Sequence, residues 1–460
     1  MDDYLDNIVK LDKDLVNKYS DKMIIDDNLT RQLVSFQANK NRTFHKWFKY
    51  KEGFSADLVK YFFQKYNIKG SPVLDPFAGI GTTLFVSSEL GLQSVGIELL
   101  PSSVEIIKAR KSILFNLTNE DIIVLKNWKD DKPWLQSEGQ KELVFFRITN
   151  GAYPEKTKDK IEKYLYCLDN IKNETVRNIL FFALMSVLEV ISYTRKDGQY
   201  LRWDYRSGRQ VGAIPFNKGE IIDFDIAIND KLNEIINDYY LIHNGNLFQT
   251  NYSDINILNG SCLNIMPELK ESQYKVIMTS PPYCNRYDYT RTYALELGLL
   301  ELSQVDLNNL RQTMLSCTVE NKEKDLLKIN KKWFAPLEIA NNNLLLNSII
   351  GYLENQKKKK LLNNNGIVRM VKGYFLELAC VIYESYRVLQ NGGYMFMVND
   401  NVRYAGVSIS VDLILSDIAN KVGFNVENIL ILPIGKGNSS QQMGEHGRDE
   451  LRKCIYVWRK

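Results

Sequence analysis

Apolar positions along this chain repeat with two periods, and the alternation between them marks out the elements. Residues 56–66 (ADLVKYFFQKY) repeat at helical spacing. VLDPFAGIGTTLFVSSELG then reads as a short apolar strand, a glycine-bearing turn and a helix, SVGIEL (94–99) as a second strand, and PSSVEIIKARKSILF as another helix. This strand–helix–strand–helix rhythm predicts an α/β sheet. It breaks over 126–254, where a polar stretch with Pro and Trp, two apolar helices and a basic aromatic loop are expected. Strand patterns return at INILNGS (255–261) and YKVIMTS (274–280), and break again over the Asn- and Lys-rich 301–369. Beyond 370 a helix is expected to end at LQNGG, with Gly392 or Gly393 in the left-handed position after it. YMFMVN (394–399) predicts a strand, 408–422 a helix, and FNVENILIL and CIYVWRK (454–460) two closing strands. Residues 1–34 read as a helical, mostly acidic lead-in.

Composition adds boundaries to this picture. The 460 residues are 45% hydrophobic and 25% charged, an ordinary globular balance. At ~150 residues per domain the length suggests about three domains. The net charge of +4 excludes a histone-like protein but leaves nucleic-acid enzymes open, because binding needs a local basic surface and not a basic average. Six Cys without a C-x-x-C and only three His argue against a disulfide framework and a metal site. The N-terminus has no apolar signal region, and the most apolar run (178–193) contains Glu189 and suits a buried helix. A cytoplasmic protein with no membrane contact is expected.

The first chemical signal is Asp75-Pro76-Phe77-Ala78-Gly79-Ile80-Gly81-Thr82-Thr83, set between strand and helix. Gly79 and Gly81 permit a tight turn and close approach of a ligand to bare backbone. Glu98 closes the next strand nineteen residues after Gly79, the spacing at which an acid meets ribose hydroxyls in nucleotide-binding α/β folds. Glycine spacing alone fits a tight turn with no ligand equally well. Two carboxylates at strand ends tilt the reading, because they need polar partners, repel a pyrophosphate, and suit a ligand with ribose hydroxyls and cationic groups.

The second signal is Thr279-Ser280-Pro281-Pro282-Tyr283, after the strand KVIM. Two prolines stop the strand and leave a turn rich in acceptors followed by an aromatic plate. Such a turn can hold an –NH2 group and stack a flat ring on Tyr283; read alone, it is also compatible with a packing loop. Together, DPFAGIGTT and TSPPY resemble two motifs of the S-adenosylmethionine-dependent amino-methyltransferases, and the SPPY spelling is most similar to the DNA cytosine-N4 branch. FHKWFKYKEGFSADLV (44–59) resembles the family's upstream cofactor segment, with Lys51, Phe54 and Ser55 at its characteristic positions. The tail from Gly435 to Lys460 resembles the end of some site-specific DNA methyltransferases.

The resemblance implies a Rossmann-like, seven-stranded, mostly parallel sheet with an antiparallel last strand, interrupted by two mainly helical insertions. It divides the chain into a lead-in (1–34), core segments 35–125, 255–300 and 370–460, and insertions 126–254 and 301–369. About half of the chain is then one twice-interrupted catalytic domain. The resemblance also implies that the turn from Asp75 to Gly81, with Thr82 and Thr83, cradles the methionine part of S-adenosylmethionine. Glu98 binds the ribose, and Phe54 and Ser55 contact the methionine end. Where the family often has an acid near the adenine, this chain has Asn259-Gly260-Ser261-Cys262, leaving Ser261 as the candidate. Ser280 and the Pro281 carbonyl would hold the target amine, with Tyr283 stacked on a base flipped out of duplex DNA.

Candidates for reading the polymer are Arg286 and Arg291 beside the catalytic turn, and Arg195, Lys196, Arg202 and Arg206 in the basic aromatic stretch 192–209. Ordinary solvated surface explains that stretch equally well. A cognate restriction endonuclease is the implied partner. Adenine-N6 transfer, RNA methylation and a catalytically silent binding module are the alternatives. C5-methylation through Cys284 is set aside, because Tyr283 separates that cysteine from the prolines.

Overall fold

Strand residues Tyr274–Thr279 show how the sheet acquires two apolar faces. Val276 and Met278 pack on one side with the helix Ala56–Lys65, and Ile277 packs on the other with Ile367–Val388. Period-two alternation of apolar residues on both faces demands cover on both, which the helices supply. The computed structural model describes residues 3–70, 72–198, 200–209, 214–244, 252–433 and 451–460.

The strands are β1 (Met23–Ile25), β2 (Val73–Asp75), β3 (Ser94–Glu98), β4 (Thr194–Asp197), β5 (Tyr200–Trp203), β6 (Ile255–Asn259), β7 (Tyr274–Thr279), β8 (Leu389–Asp400), β9 (Val402–Tyr404), β10 (Val407–Ile409), β11 (Asn425–Ile431) and β12 (Lys453–Arg459). Eight form one sheet in the order β1-β11-β12-β8-β7-β2-β3-β6. Within it β12 runs antiparallel to both β8 and β11, and the other pairings are parallel. The mostly parallel α/β sheet with an antiparallel closing strand is as expected. The seven strands implied by the resemblance are present, and β1 adds an eighth at the edge. The lead-in is therefore a helix (Asp3–Lys18) followed by a strand, and not helical throughout. The helix before LQNGG also ends earlier than expected, at Val388. Gly392 does adopt φ 74°, but inside the opening of β8, where its N–H meets the carbonyl of Lys460.

The segment 126–254 is mainly helical and closes over one face of the sheet. Helix Glu174–Ile191 starts at Asn173, whose side chain accepts from the Val176 N–H, and packs against Pro101–Phe115. The two share one apolar core with Glu155–Asp169 and Phe224–Asn244. Of 301–369, the helix Gln304–Thr313 joins that same core, while Phe334–Asn341 and Leu344–Lys358 pack on the opposite face, where Trp333 is fully buried and donates to Glu384 at 2.7 Å. No helix among the described residues is long and apolar enough to cross a membrane.

Gly96 in β3 has no room for a side chain: an added Cβ would lie 2.6 Å from Leu84 Cδ1 and 2.9 Å from Ala78 Cβ. Gly96→Ala is expected to destabilise the protein by about 1–3 kcal/mol through overpacking. Urea denaturation measures this, and unchanged stability would mean the turn packs on the strand more loosely than described.

Candidate functional site

The carboxyl ends of the parallel strands converge on one cleft, the usual ligand position in an open α/β sheet. Asp75 ends β2, Glu98 ends β3, Ser261 follows β6 and Ser280 follows β7. The turn after β2 supplies the floor. Gly79 takes φ 54° and Gly81 φ 81°, and a Cβ on Gly79 would sit 3.0 Å from the Tyr50 ring. Both conformations are strained for residues with a side chain.

Glu98 locks this turn. Its Oε2 accepts from the Gly79 N–H at 2.7 Å and its Oε1 from the Leu100 N–H at 2.7 Å. Asp75 Oδ1 accepts from the Thr279 hydroxyl at 2.7 Å and from the Phe77 N–H at 3.1 Å, tying β2 to β7. Burial disfavours both charges, only partly offset by these donors. It pushes Glu98 up to about 7 and Asp75 up to about 6. Behind the turn, the fully buried Arg110 lies between the rings of Phe44 and Phe85 and donates to the Ile80 carbonyl at 2.6 Å. Burial pulls its guanidinium down to about 9.

A cavity of about 820 Å³ lies over this floor. Of the predicted residues, Phe54, Asp75, Pro76, Phe77, Ala78, Gly79, Thr82, Glu98, Ser261, Ser280 and Pro282 line it. Four others support it from outside. Gly81 opens the helix Thr82–Glu89, and the Thr83 hydroxyl donates to the Met278 carbonyl at 3.2 Å. Ser55 is buried as a helix cap, donating to the Leu33 carbonyl at 2.6 Å and accepting from the Leu58 N–H at 3.2 Å. Pro281 is buried beside the wall. Sequence reading missed Tyr50, Glu52, Leu99, Tyr289, Met314 and Leu315. The last two come from 301–369, and no motif marks them.

A second cavity of about 1360 Å³ opens on the other side of the SPPY turn, lined by Lys51, Tyr283, Asn285, Tyr287, Asp400 and Lys453 among others. Ser280 Oγ donates to the Tyr283 hydroxyl at 3.2 Å, so the turn bridges the two spaces. Glu52, Gly53 and Tyr289 line both.

A DNA methylase family model of the N6/N4 type matches residues 11–109. Type II methyltransferase M.AvaI of Nostoc sp. is 54% identical over all of this chain and 95% of its own. Type II methyltransferase M.BsoBI of Geobacillus stearothermophilus is 39% identical over 94% of this chain and 89% of its own. The chain belongs to the Type II DNA methyltransferases of the N6/N4 family. No solved structure matches it.

In a DNA methyltransferase, cations near the cleft are natural polymer contacts, but the structure divides the predicted ones. Arg195 and Arg202 face each other across the β4–β5 hairpin, both over the Phe216 ring at 4.6 and 4.1 Å. Arg286 takes φ 66° and donates to Asn363 at 3.3 Å, while Arg291 pairs with Asp288 at 3.1 Å and Glu320 at 2.6 Å. Arg206 is bound to the buried Asp204 at 2.7 Å and to the Gly219 carbonyl at 2.6 Å, which fixes a turn. Lys196 corrects the sequence expectation outright. It is buried, paired with Glu296 and lies 4.2 Å from the centre of the Tyr293 ring, so it cannot reach a phosphate. Lys51 likewise spends its ammonium on the Lys196 carbonyl. The tail residues 435–450 lie outside the described residues. Among the described residues no group of His, Cys, Asp and Glu could hold a metal.

Lys196→Ala leaves Glu296 buried and unpaired, so a loss of about 3–5 kcal/mol is expected. Arg202→Ala, at an exposed stacking contact, is expected to cost about 1 kcal/mol or less. Chemical denaturation of both variants checks the contrast, and equal losses would contradict the inward placement of Lys196.

Proposed function

We propose that this protein transfers the methyl group of S-adenosylmethionine to the exocyclic N4 amine of cytosine in duplex DNA. The observation that carries this reading is the turn set between the two cavities, with Ser280 on one and Tyr283 on the other, spelled with serine where the adenine branch more often has an acid or Asn.

The cofactor fits the first cavity on chemical grounds. Among the described residues its lining holds three carboxylates, Glu52, Asp75 and Glu98, and neither lysine nor arginine. That set repels a pyrophosphate and favours a cationic ligand. Gly79, Ala78 and Phe77 would border the methionine part with bare backbone, and Asp75 would face its ammonium. Glu98 would accept from the ribose hydroxyls, and Ser261 with Leu99 and Leu100 would flank the adenine. When bound, the cofactor supplies a methyl group already activated by a positive sulfur. The protein's own task is orientation and electrostatics. Ser280 Oγ and the Pro281 carbonyl would accept from the target amine and favour a pyramidal nitrogen. Tyr283, on the second cavity, would stack on the flipped ring.

The DNA lies outside the second cavity in this reading. Arg195 and Arg202, side by side on the outer face of the hairpin and stacked on Phe216, would present their charge to the backbone phosphates, with Asp197 3.3 Å from Arg202. Arg286, in the loop after the SPPY turn, and Arg291, in the short helix Tyr289–Thr292 that follows, would contact the target strand. Insertion 126–254 would read the sequence, with 301–369 contributing. A cognate restriction endonuclease is the partner that a site-specific methylation would protect against, in the cytoplasm where both meet the chromosome.

Expression in a methylation-free host, followed by modification-sensitive sequencing, tests the target. N4-methylcytosine at one recurring sequence is expected. N6-methyladenine there would move the protein to the adenine branch, whose amine the same turn could hold. Cofactor binding is also expected to depend on pH. Glu98 accepts best when ionised, and it binds a proton below about 7 in the free protein. Affinity for S-adenosylhomocysteine should therefore fall as pH drops through about 7, by up to about tenfold per unit. Glu98→Gln should bind weakly and flatten the profile in isothermal titration. A flat wild-type profile would remove Glu98 from the ribose.

A further inference from the structure

The SPPY turn contains no group able to take a proton from a cationic amine. The Ser280 hydroxyl already donates to Tyr283, and an alcohol or phenol is a poor acceptor at neutral pH. Asp75 is held by Thr279 and Phe77, and Glu98 by Gly79 and Leu100, all on the cofactor side. Asp400 lines only the second cavity, where it pairs with Lys453 at 3.0 Å.

Among the described residues, three line both cavities: Glu52, Gly53 and Tyr289. The phenol of Tyr289 is raised well above its ordinary value by burial, so among these three only Glu52 carries a usable base. Its carboxylate is fixed in place. Oε1 accepts from the Tyr287 hydroxyl and Oε2 from the Tyr293 hydroxyl, one bond to each oxygen. Each oxygen keeps a further lone pair. Tyr293 is itself stacked on Tyr50 at 5.2 Å, which fixes that side of the clamp.

We propose that Glu52 is a catalytic residue that accepts the proton of the target amine. The inference rests on the reading above, that an exocyclic amine is methylated from a sulfonium donor. The amine lone pair forms the new N–CH3 bond as the C–S bond breaks, and sulfur keeps that electron pair. The nitrogen is then cationic, and one of its two N–H protons passes to a Glu52 oxygen, leaving a neutral methylamino group. The carboxyl group returns the proton to solvent through the second cavity. Before transfer, the same carboxylate opposes the positive charge growing on nitrogen.

The test uses the full chain and a duplex carrying the sequence found methylated in the host. Glu52→Gln keeps an acceptor oxygen but cannot take a proton at neutral pH. Its single-turnover rate is expected to fall by about 10²–10⁴-fold. Affinities for S-adenosylhomocysteine and for the duplex should stay within about threefold, and Glu52→Asp should recover part of the rate. A Glu52→Gln rate within about threefold of wild type overturns the proposal. Loss of both affinities together with the rate, unrelieved in Glu52→Asp, also overturns it by assigning Glu52 a structural role. If the wild-type protein methylated no base at all, the reading of function would fall first, and this inference with it.

Discussion

The Glu98 clamp on the glycine turn is the contact on which the rest of the site depends. A carboxylate cut off from water demands donors, and the backbone N–H groups of Gly79 and Leu100 supply them. Satisfying it bends the chain after β2 into a conformation that glycine tolerates. That bend brings Gly79 against Tyr50, and Tyr50 stacks on Tyr293, whose hydroxyl reaches Glu52. One continuous wall therefore runs from Glu98 in the first cavity to Glu52, where the two cavities meet.

The segments 126–254 and 301–369 are bound into this architecture and are not appendages to it. Met314 and Leu315, from 301–369, line the first cavity. Buried polar contacts join 126–254 to the core. Trp47 donates to Asp238 at 2.7 Å, and Lys196 pairs with Glu296 in the helix Ala294–Leu299. Such buried pairs contribute little net stability, but breaking one is costly, so they fix the position of the hairpin relative to the active cleft.

Local chemistry was legible in the residues, and long-range packing was not. DPFAGIGTT, Glu98 and TSPPY announce themselves because a turn, a cap or a run of prolines is specified within a few positions. The strand β1 escaped because three residues show no usable period, and its identity comes from pairing with β11. Gly392 was correctly marked as left-handed, yet a glycine cannot reveal whether helix or strand surrounds it. Lys196 misled by composition, although alternation held the clue. Thr194 and Lys196 pair with Trp203 and Leu201 on the buried face of the hairpin, which leaves Arg195 and Arg202 on the other. Glu52 lay beside the recognised Lys51 but carried no signal until two tyrosines converged on it.

The pairing of β1 with β11 has a cost during synthesis. Met23 lies beside Ile429, so the first strand made waits for a partner about 400 residues later. β12 must then enter between β11 and β8 before the sheet is continuous. At about 5–20 residues per second, β1 waits tens of seconds for β11, and the open edge of β8 stays unpaired for about 3–12 seconds. A methyltransferase with this topology gains its activity late, and until then it exposes open strand edges that chaperones are suited to shield.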